Sequence, residues 1–238
     1  VRPDGRQAVD CRPFQIVPHY TMHAPGSVLV SLGHTKVIVT VSMADRPPRF
    51  CQGRGCGWVS AEYAMLPGAT HERVARDSST QRVSGRSSEI QRLIARSMRP
   101  TLDLFLLGER HVLIDCDVIQ ADGGTRTAAI LGAMAALRLA CAHWVNRGVL
   151  SHNPLTALIG AISVGMVQGE ARCDLCYEED RIAQVDLNVV MNDRGEWIEI
   201  QGTAESAPYT TEQLITMLEL AKHAILPLID QLKRFPLA

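Results

Sequence analysis

Lysine is nearly absent from this chain of 238 residues. Only Lys36, Lys222 and Lys233 occur, so almost all of the 24 basic residues are arginines. Aromatic residues make up only 5%. That leaves few rings on which bases could stack, and a nucleic-acid partner would be held mainly through its backbone. Charge of one sign is not in excess. The 24 basic and 25 acidic residues give a formal net charge of −1, which argues against a generic nucleic-acid coat. No unbroken apolar run approaches the ~18–20 residues that would cross a bilayer, so no membrane segment is expected. The first residues, Val1-Arg2-Pro3-Asp4-Gly5-Arg6, lack the apolar stretch of a secretory signal. The chain starts on Val rather than Met, as a trimmed or processed chain would. Seven cysteines without a signal read as reduced thiols of a cytoplasmic protein. Cys173-Asp174-Leu175-Cys176 has metal-pair spacing. It falls in a strand-like segment, where residues three apart face opposite ways, and a second ligand pair is missing.

What is present suits a globular fold. Hydrophobic residues are 46% of the chain, and the length fits one domain over residues 1–238. Strand-like runs are expected at 27–33, 36–42, 58–66, 110–120, within 161–178, at 184–191 and at 196–201. Helical spacing links Ile90, Leu93, Ile94, Met98, Leu102 and Phe105, with Ser87 or Ser88 as cap and Pro100 as an interruption. An Ala/Leu-rich helix is expected from about 125 to 145, with Gly148 as its stop. Thr210 and Gln213 fit a capping box for the last helix. The order is α+β with mixed connections rather than a regular βαβ alternation.

Three features can carry chemistry. The first is Gly123-Gly124-Thr125-Arg126-Thr127, between a strand and a long helix. The N–H groups of a first helical turn lack internal partners and sit at the positive end of the dipole. Glycines admit an anion close to the backbone, and two hydroxyls and a guanidinium add donors, so the turn can cradle phosphate. It lacks P-loop spacing and a following Lys. A plain Gly-rich turn would show the same pattern.

The second is an arginine field: Arg73, Arg76, Arg82, Arg86, Arg92, Arg96 and Arg99, opposed by Glu72, Asp77 and Glu89. Arg92, Arg96 and Arg99 share a helix face, which suits either RNA, solvent or a subunit contact. Arg73, Arg76 and Arg82 lie in the long polar stretch 70–85, as a basic loop for a polyanion would. His71 joins that loop. The third feature is acidic. If the strands before and after it form a hairpin, Asp180 and Asp186 can converge to hold Mg²⁺ beside phosphates. A charged hairpin tip would look alike. Asp115 and Asp117 flank Cys116 and read as supporting residues.

These features sit in longer stretches that resemble the ribonuclease PH family over the whole chain. The stretches are His19-Tyr20 with Gly26-Ser27-Val28-Leu29-Val30, Gly57-Trp58-Val59-Ser60-Ala61-Glu62-Tyr63, and Gly85-Arg86-Ser87-Ser88-Glu89-Ile90-Gln91-Arg92-Leu93-Ile94. They continue with Asp115-Cys116-Asp117-Val118-Ile119-Gln120-Ala121-Asp122-Gly123-Gly124-Thr125-Arg126-Thr127, Asp186-Leu187-Asn188-Val189-Val190-Met191 and Gln201-Gly202-Thr203-Ala204-Glu205.

The resemblance implies a ribosomal-protein-S5-domain-2-like α+β fold and a homohexameric ring, a trimer of dimers. It implies a tRNA nucleotidyltransferase reaction: inorganic phosphate, as co-substrate, attacks the last 3′ phosphodiester of a tRNA precursor and releases a nucleoside diphosphate. It assigns phosphate binding to Arg86, Gly124, Thr125, Arg126 and Thr127. Asp180 and Asp186 become the catalytic and metal-binding aspartates, and Arg73 and Arg76 the RNA contacts, with Arg92 and Arg99 as further candidates. The sequence departs from the family pattern at Gly68, where an arginine is common, at Pro100, and at Cys176, where an acid is common. Two other readings stay open. One is a non-catalytic RNA-binding subunit of an exosome-like ring; the other is an enzyme that uses the cradle for a small phosphorylated ligand.

Overall fold

The computed structural model describes residues 2–76 and 83–237. Asp77 and Arg82 therefore lie outside the described residues. Among the described residues, nine strands form two sheets. Strands β1 (Phe14–Pro18), β2 (Gly26–Leu32), β3 (Thr35–Ala44), β4 (Trp58–Met65) and β5 (His111–Gln120) make a five-stranded sheet in the order β1-β2-β3-β5-β4. All neighbours are antiparallel except β4 and β5. A parallel pair needs a crossover. Here helix α1 (Gly85–Met98) lies in the connection and packs back on β4.

Ser84, not Ser87 or Ser88, caps α1: its side chain accepts from the Ser87 N–H. Ser87 is thereby inside the helix and buried. Pro100 has the expected effect. The helix ends at Met98, residues 99–101 tighten into a 3₁₀ turn, and a separate short helix, α2 (Leu104–Leu107), follows. Phe105 belongs to that second helix and is exposed.

The second sheet holds β6 (Ile159–Val167), β7 (Glu170–Cys173), β8 (Val185–Asn192) and β9 (Trp197–Ala204), antiparallel in the order β7-β6-β8-β9. Between β7 and β8 the chain makes a four-residue helix, α4 (Tyr177–Asp180). Helix α3 (Thr125–Asn146) runs between the sheets, against β2 and β3 on one side and β6 on the other. A helix covered on opposite faces must be apolar nearly all round, and α3 is. It is long and apolar enough to cross a membrane by length and composition, against the expectation that no segment would be. Yet 78% of its most apolar window is buried within the protein, which makes it the core helix. The last helix, α5 (Thr211–Arg234), opens with the expected Thr210/Gln213 capping box and packs on β6 and β7. One hydrophobic core runs through both sheets and these helices.

Candidate functional site

The glycine turn is built by the backbone. Gly123 (φ +71°) and Gly124 (φ +64°) both adopt left-handed conformations, which side chains resist. A Cβ on Gly123 would lie 2.5 Å from the Leu175 carbonyl oxygen. Gly124 is the N-cap of α3, and no side chain caps this helix end.

An arginine network holds the turn from behind. Arg12, 5% exposed, binds Asp174 through Nε (2.9 Å) and Nη2 (2.6 Å), and its backbone N–H donates to the same carboxylate at 2.7 Å. Its guanidinium also donates to the carbonyls of Asp122, Gly123 and Leu175. Arg2 donates to both oxygens of buried Glu179 (2.8 and 2.7 Å), and Arg172 donates to Glu179 as well (3.2 Å). The N-terminal segment is thus tied to the turn and to α4. Nothing local in the sequence marks Arg2 or Arg12, because their acids lie more than 150 positions away.

A cavity of about 540 Å³ opens in front of the turn. Arg86, Gly124, Thr125, Arg126, Asp180 and Asp186 all line it, and so does Arg76. Six residues proposed for phosphate and metal from separate segments therefore meet in one place. A polar chamber of about 370 Å³ adjoins it and shares Arg86, Arg126, Asp180, Asp186 and Asn188 with it.

The two carboxylates do not meet through a hairpin. β7 and β8 are not neighbours, because β6 lies between them. Asp186 stands in β8 opposite Gly165 of β6 and Thr203 of β9, while Asp180 ends α4. Helix α4 carries Asp180 back to the same cavity.

Burial pushes the Asp186 carboxyl up to about 6, and the charge of Asp180 adds to this. Asn188, donating to Asp186 at 3.2 Å, and Arg126 oppose the rise. Asp180 is also raised by desolvation, with Arg126 and Arg86 pulling the other way. Two acids that destabilise each other's ionised form suit a divalent cation. Mg²⁺ typically takes one or two carboxylates, keeps several waters and fills the rest of its shell with phosphate oxygens. A pair of aspartates fits that habit, although the described residues hold no cluster of three or more metal-ligating side chains.

Other candidates fall elsewhere. Thr127 is fully buried and its hydroxyl donates to the Gly124 carbonyl at 3.0 Å, so it shapes the turn rather than lining the cavity. Arg73 is exposed on the same segment as Arg76 but does not line the cavity. Arg92 is exposed on α1, away from it. Arg99 stacks over the Trp58 ring at 4.1 Å and donates to the Val59 carbonyl, which fixes it as a packing residue. Arg96 pairs with Glu199. Arg92 and Arg96 are thus exposed one turn apart on α1, and only Arg99 is turned away onto Trp58.

Asp117 reaches the cavity and Asp115 does not. Cys173 ends β7, with its sulfur 3.6 Å from that of Cys11, and Cys176 precedes α4, so the segment is not one alternating strand. Tyr63, Ser163 and Asn188 line the cavity without having been singled out in sequence. Tyr63 alone left a signal there, as the aromatic at a buried position of a strand leading into the basic stretch.

The comparisons agree with this architecture. The 3′ exoribonuclease family, domain 1, matches residues 10–142, and domain 2 of that family matches residues 157–224. Among solved structures, rice (Oryza sativa) Rrp46 superposes with a TM-score of 0.78 at 18% identity, covering 98% of each chain. A chain of the Archaeoglobus fulgidus exosome with RNA bound to the active site gives 0.81 at 21% identity, covering 97% of this chain and 92% of that one. An archaeal exosome core chain gives 0.77 at 21%, covering 98% and 91%. At such identities the likeness is one of fold, and it matches the α+β class expected from the sequence. The two domain matches span most of the chain and meet at the cavity: this protein belongs to the 3′ exoribonuclease family.

Proposed function

We propose that the protein is a phosphate-dependent 3′–5′ exoribonuclease that trims tRNA precursors, and other RNA 3′ ends such as those of rRNA, releasing nucleoside 5′-diphosphates. One observation carries this reading. Two mutually repelling carboxylates share a cavity with an uncapped helix N-terminus and three arginines, Arg76, Arg86 and Arg126. A surface that only binds RNA has no use for the carboxylates, which repel the RNA backbone.

The residues then divide the work. Thr125, the first N–H groups of α3 and the guanidinium groups of Arg86 and Arg126 hold inorganic phosphate against the last phosphodiester. Placement of this kind removes much of the entropic barrier. Arg86 and Arg126 border both chambers and offset charge that builds on the scissile phosphate. Asp180 and Asp186 would hold the divalent cation, which when bound supplies further charge neutralisation at the phosphates. Burial raises the Asp186 carboxyl to about 6, so it is still mostly ionised at neutral pH, as a cation ligand must be. Arg76, at the cavity wall, and Arg73 beside it would guide the RNA backbone. The active form is a homohexamer, a trimer of dimers, in the cytoplasm.

A second reading is a non-catalytic RNA-binding subunit of an exosome-like ring. It draws support from the rice Rrp46 and archaeal exosome chains, whose fold matches over nearly the whole length.

A tRNA with a short extra 3′ tail, incubated with Mg²⁺ with and without inorganic phosphate, separates the two. Nucleoside diphosphate that appears only with phosphate supports the enzyme. RNA that binds and is never shortened supports the binding subunit.

A further inference from the structure

We infer that Tyr63 is a positioning residue of the phosphate site, fixing the Thr125 hydroxyl as a donor into the cavity. The inference rests on the phosphate reading above. Tyr63 stands in β4 opposite Cys116 of β5. Strand alternation turns it to the covered face, where it is 2% exposed, yet it still borders the cavity. Its hydroxyl donates to Thr125 Oγ1 at 2.9 Å.

The direction of that bond matters. A hydroxyl carries one hydrogen and two lone pairs. The phenol is the stronger acid of the two, and burial raises its pKa further, so it keeps its proton and donates it. Thr125 therefore accepts from Tyr63, and its own hydrogen must point elsewhere. A threonine inside a helix gives that hydrogen to the carbonyl one turn back. Thr125 is the first residue of α3 and has no helical turn behind it. It borders the cavity, so its hydrogen is left to an anion held by the helix N-terminus, Arg86 and Arg126. Tyr63 touches no substrate in this arrangement. It acts through Thr125.

The test uses the intact protein, with a saturating tailed RNA and varied inorganic phosphate. Tyr63→Phe is expected to raise the KM for phosphate roughly five- to tenfold, about the weight of one neutral hydrogen bond. RNA affinity and kcat at saturating phosphate should hold. Thr125→Ser, which keeps the hydroxyl, should retain a lower KM for phosphate than Thr125→Val. Thr125→Val should lose at least as much as Tyr63→Phe, and adding Tyr63→Phe to Thr125→Val should change nothing more.

An unchanged phosphate KM in Tyr63→Phe, or an additive double variant, overturns the inference. Should Tyr63→Phe not fold, judged by thermal unfolding, the valine and serine variants decide: equal phosphate KM in both overturns it. If the wild type never consumes RNA with phosphate, the functional reading falls. The Tyr63 inference is then read from calorimetric titration with inorganic phosphate, and it fails if Tyr63→Phe binds phosphate like the wild type.

Discussion

Arg12 and Asp174 form a two-pronged buried ion pair, 2.9 and 2.6 Å long, directly behind the glycine turn. Asp174 is fully buried and holds a left-handed backbone (φ 51°), unusual for a residue with a side chain. Such a conformation persists only where its surroundings enforce it. Here the Arg12 side chain and backbone N–H both bind its carboxylate. The pair links the N-terminal segment, the chain just after β7 and the glycine turn that borders the cavity.

Removing one partner leaves the other charge buried and unpaired. Arg12→Ala should lower the unfolding free energy by about 3–5 kcal/mol. It should also raise the KM for phosphate, because the carbonyls of Asp122, Gly123 and Leu175 lose their common donor. Urea unfolding and phosphate titration of the same variant check both. Lost stability with unchanged phosphate affinity would separate the network from the cradle.

Glu179 sets an acid limit. Its interactions with Arg2, aided by Arg172 and the Cys176 N–H, outweigh its burial and hold its carboxyl below the usual glutamate range. A depressed carboxylate contributes stability that is complete above its unfolded pKa, near 4.5. That stability is lost as pH falls through the folded value. Glu179→Gln should thus be less stable than the wild type at pH 7, by about 3 kcal/mol. The gap should close as pH falls below the unfolded value. Thermal midpoints measured from pH 7 to pH 3 test this; a constant gap would remove Glu179 from the acid response.

Asp186 works in the opposite sense. Its folded pKa, raised to about 6 from 3.8, means that the ionised side chain costs stability above pH 6. The cost fades as pH falls towards 4. Asp186→Asn should therefore be more stable than the wild type by ~1–2 kcal/mol at pH 7.5 without divalent metal, and unfold at a higher temperature. It should have no phosphorolytic turnover. Mg²⁺ should raise the wild-type midpoint more than that of the variant. An equal Mg²⁺ response would take Asp186 out of the metal site.

Gly123→Ala strains the turn in two ways, through its positive φ and through the 2.5 Å approach to the Leu175 carbonyl. A loss of about 2–4 kcal/mol is expected, with phosphate dependence weakened in whatever folds. Gly68→Ala is the control. Nothing lies within 4 Å of a Cβ there, so it should match the wild type in both respects.

Much of this protein was settled by sequence alone, for a local reason. Alternation and β-branched runs marked β2, β3, β4 and β5 to within a few residues. The Thr210/Gln213 box marked the start of α5, and the paired glycines marked the start of α3. Each of these signals depends on neighbours a few positions apart. The turn that brings Gly124, Thr125 and Arg126 to the cavity was legible for the same reason.

Tertiary structure decided what depends on distant partners. Ser84 caps α1 in place of Ser87 or Ser88 because the helix starts at Gly85, which leaves both serines inside its first turn. Arg99 left the proposed RNA face because Trp58 lies beneath it. Thr127 turned inward because the Gly124 carbonyl was within reach. Asp180 and Asp186 converge because α4, which follows β7, carries Asp180 back to the cavity where β8 presents Asp186. Arg2 and Arg12 find their acids more than 150 residues away. No local pattern encodes such meetings; they follow from how two sheets close around a single helix.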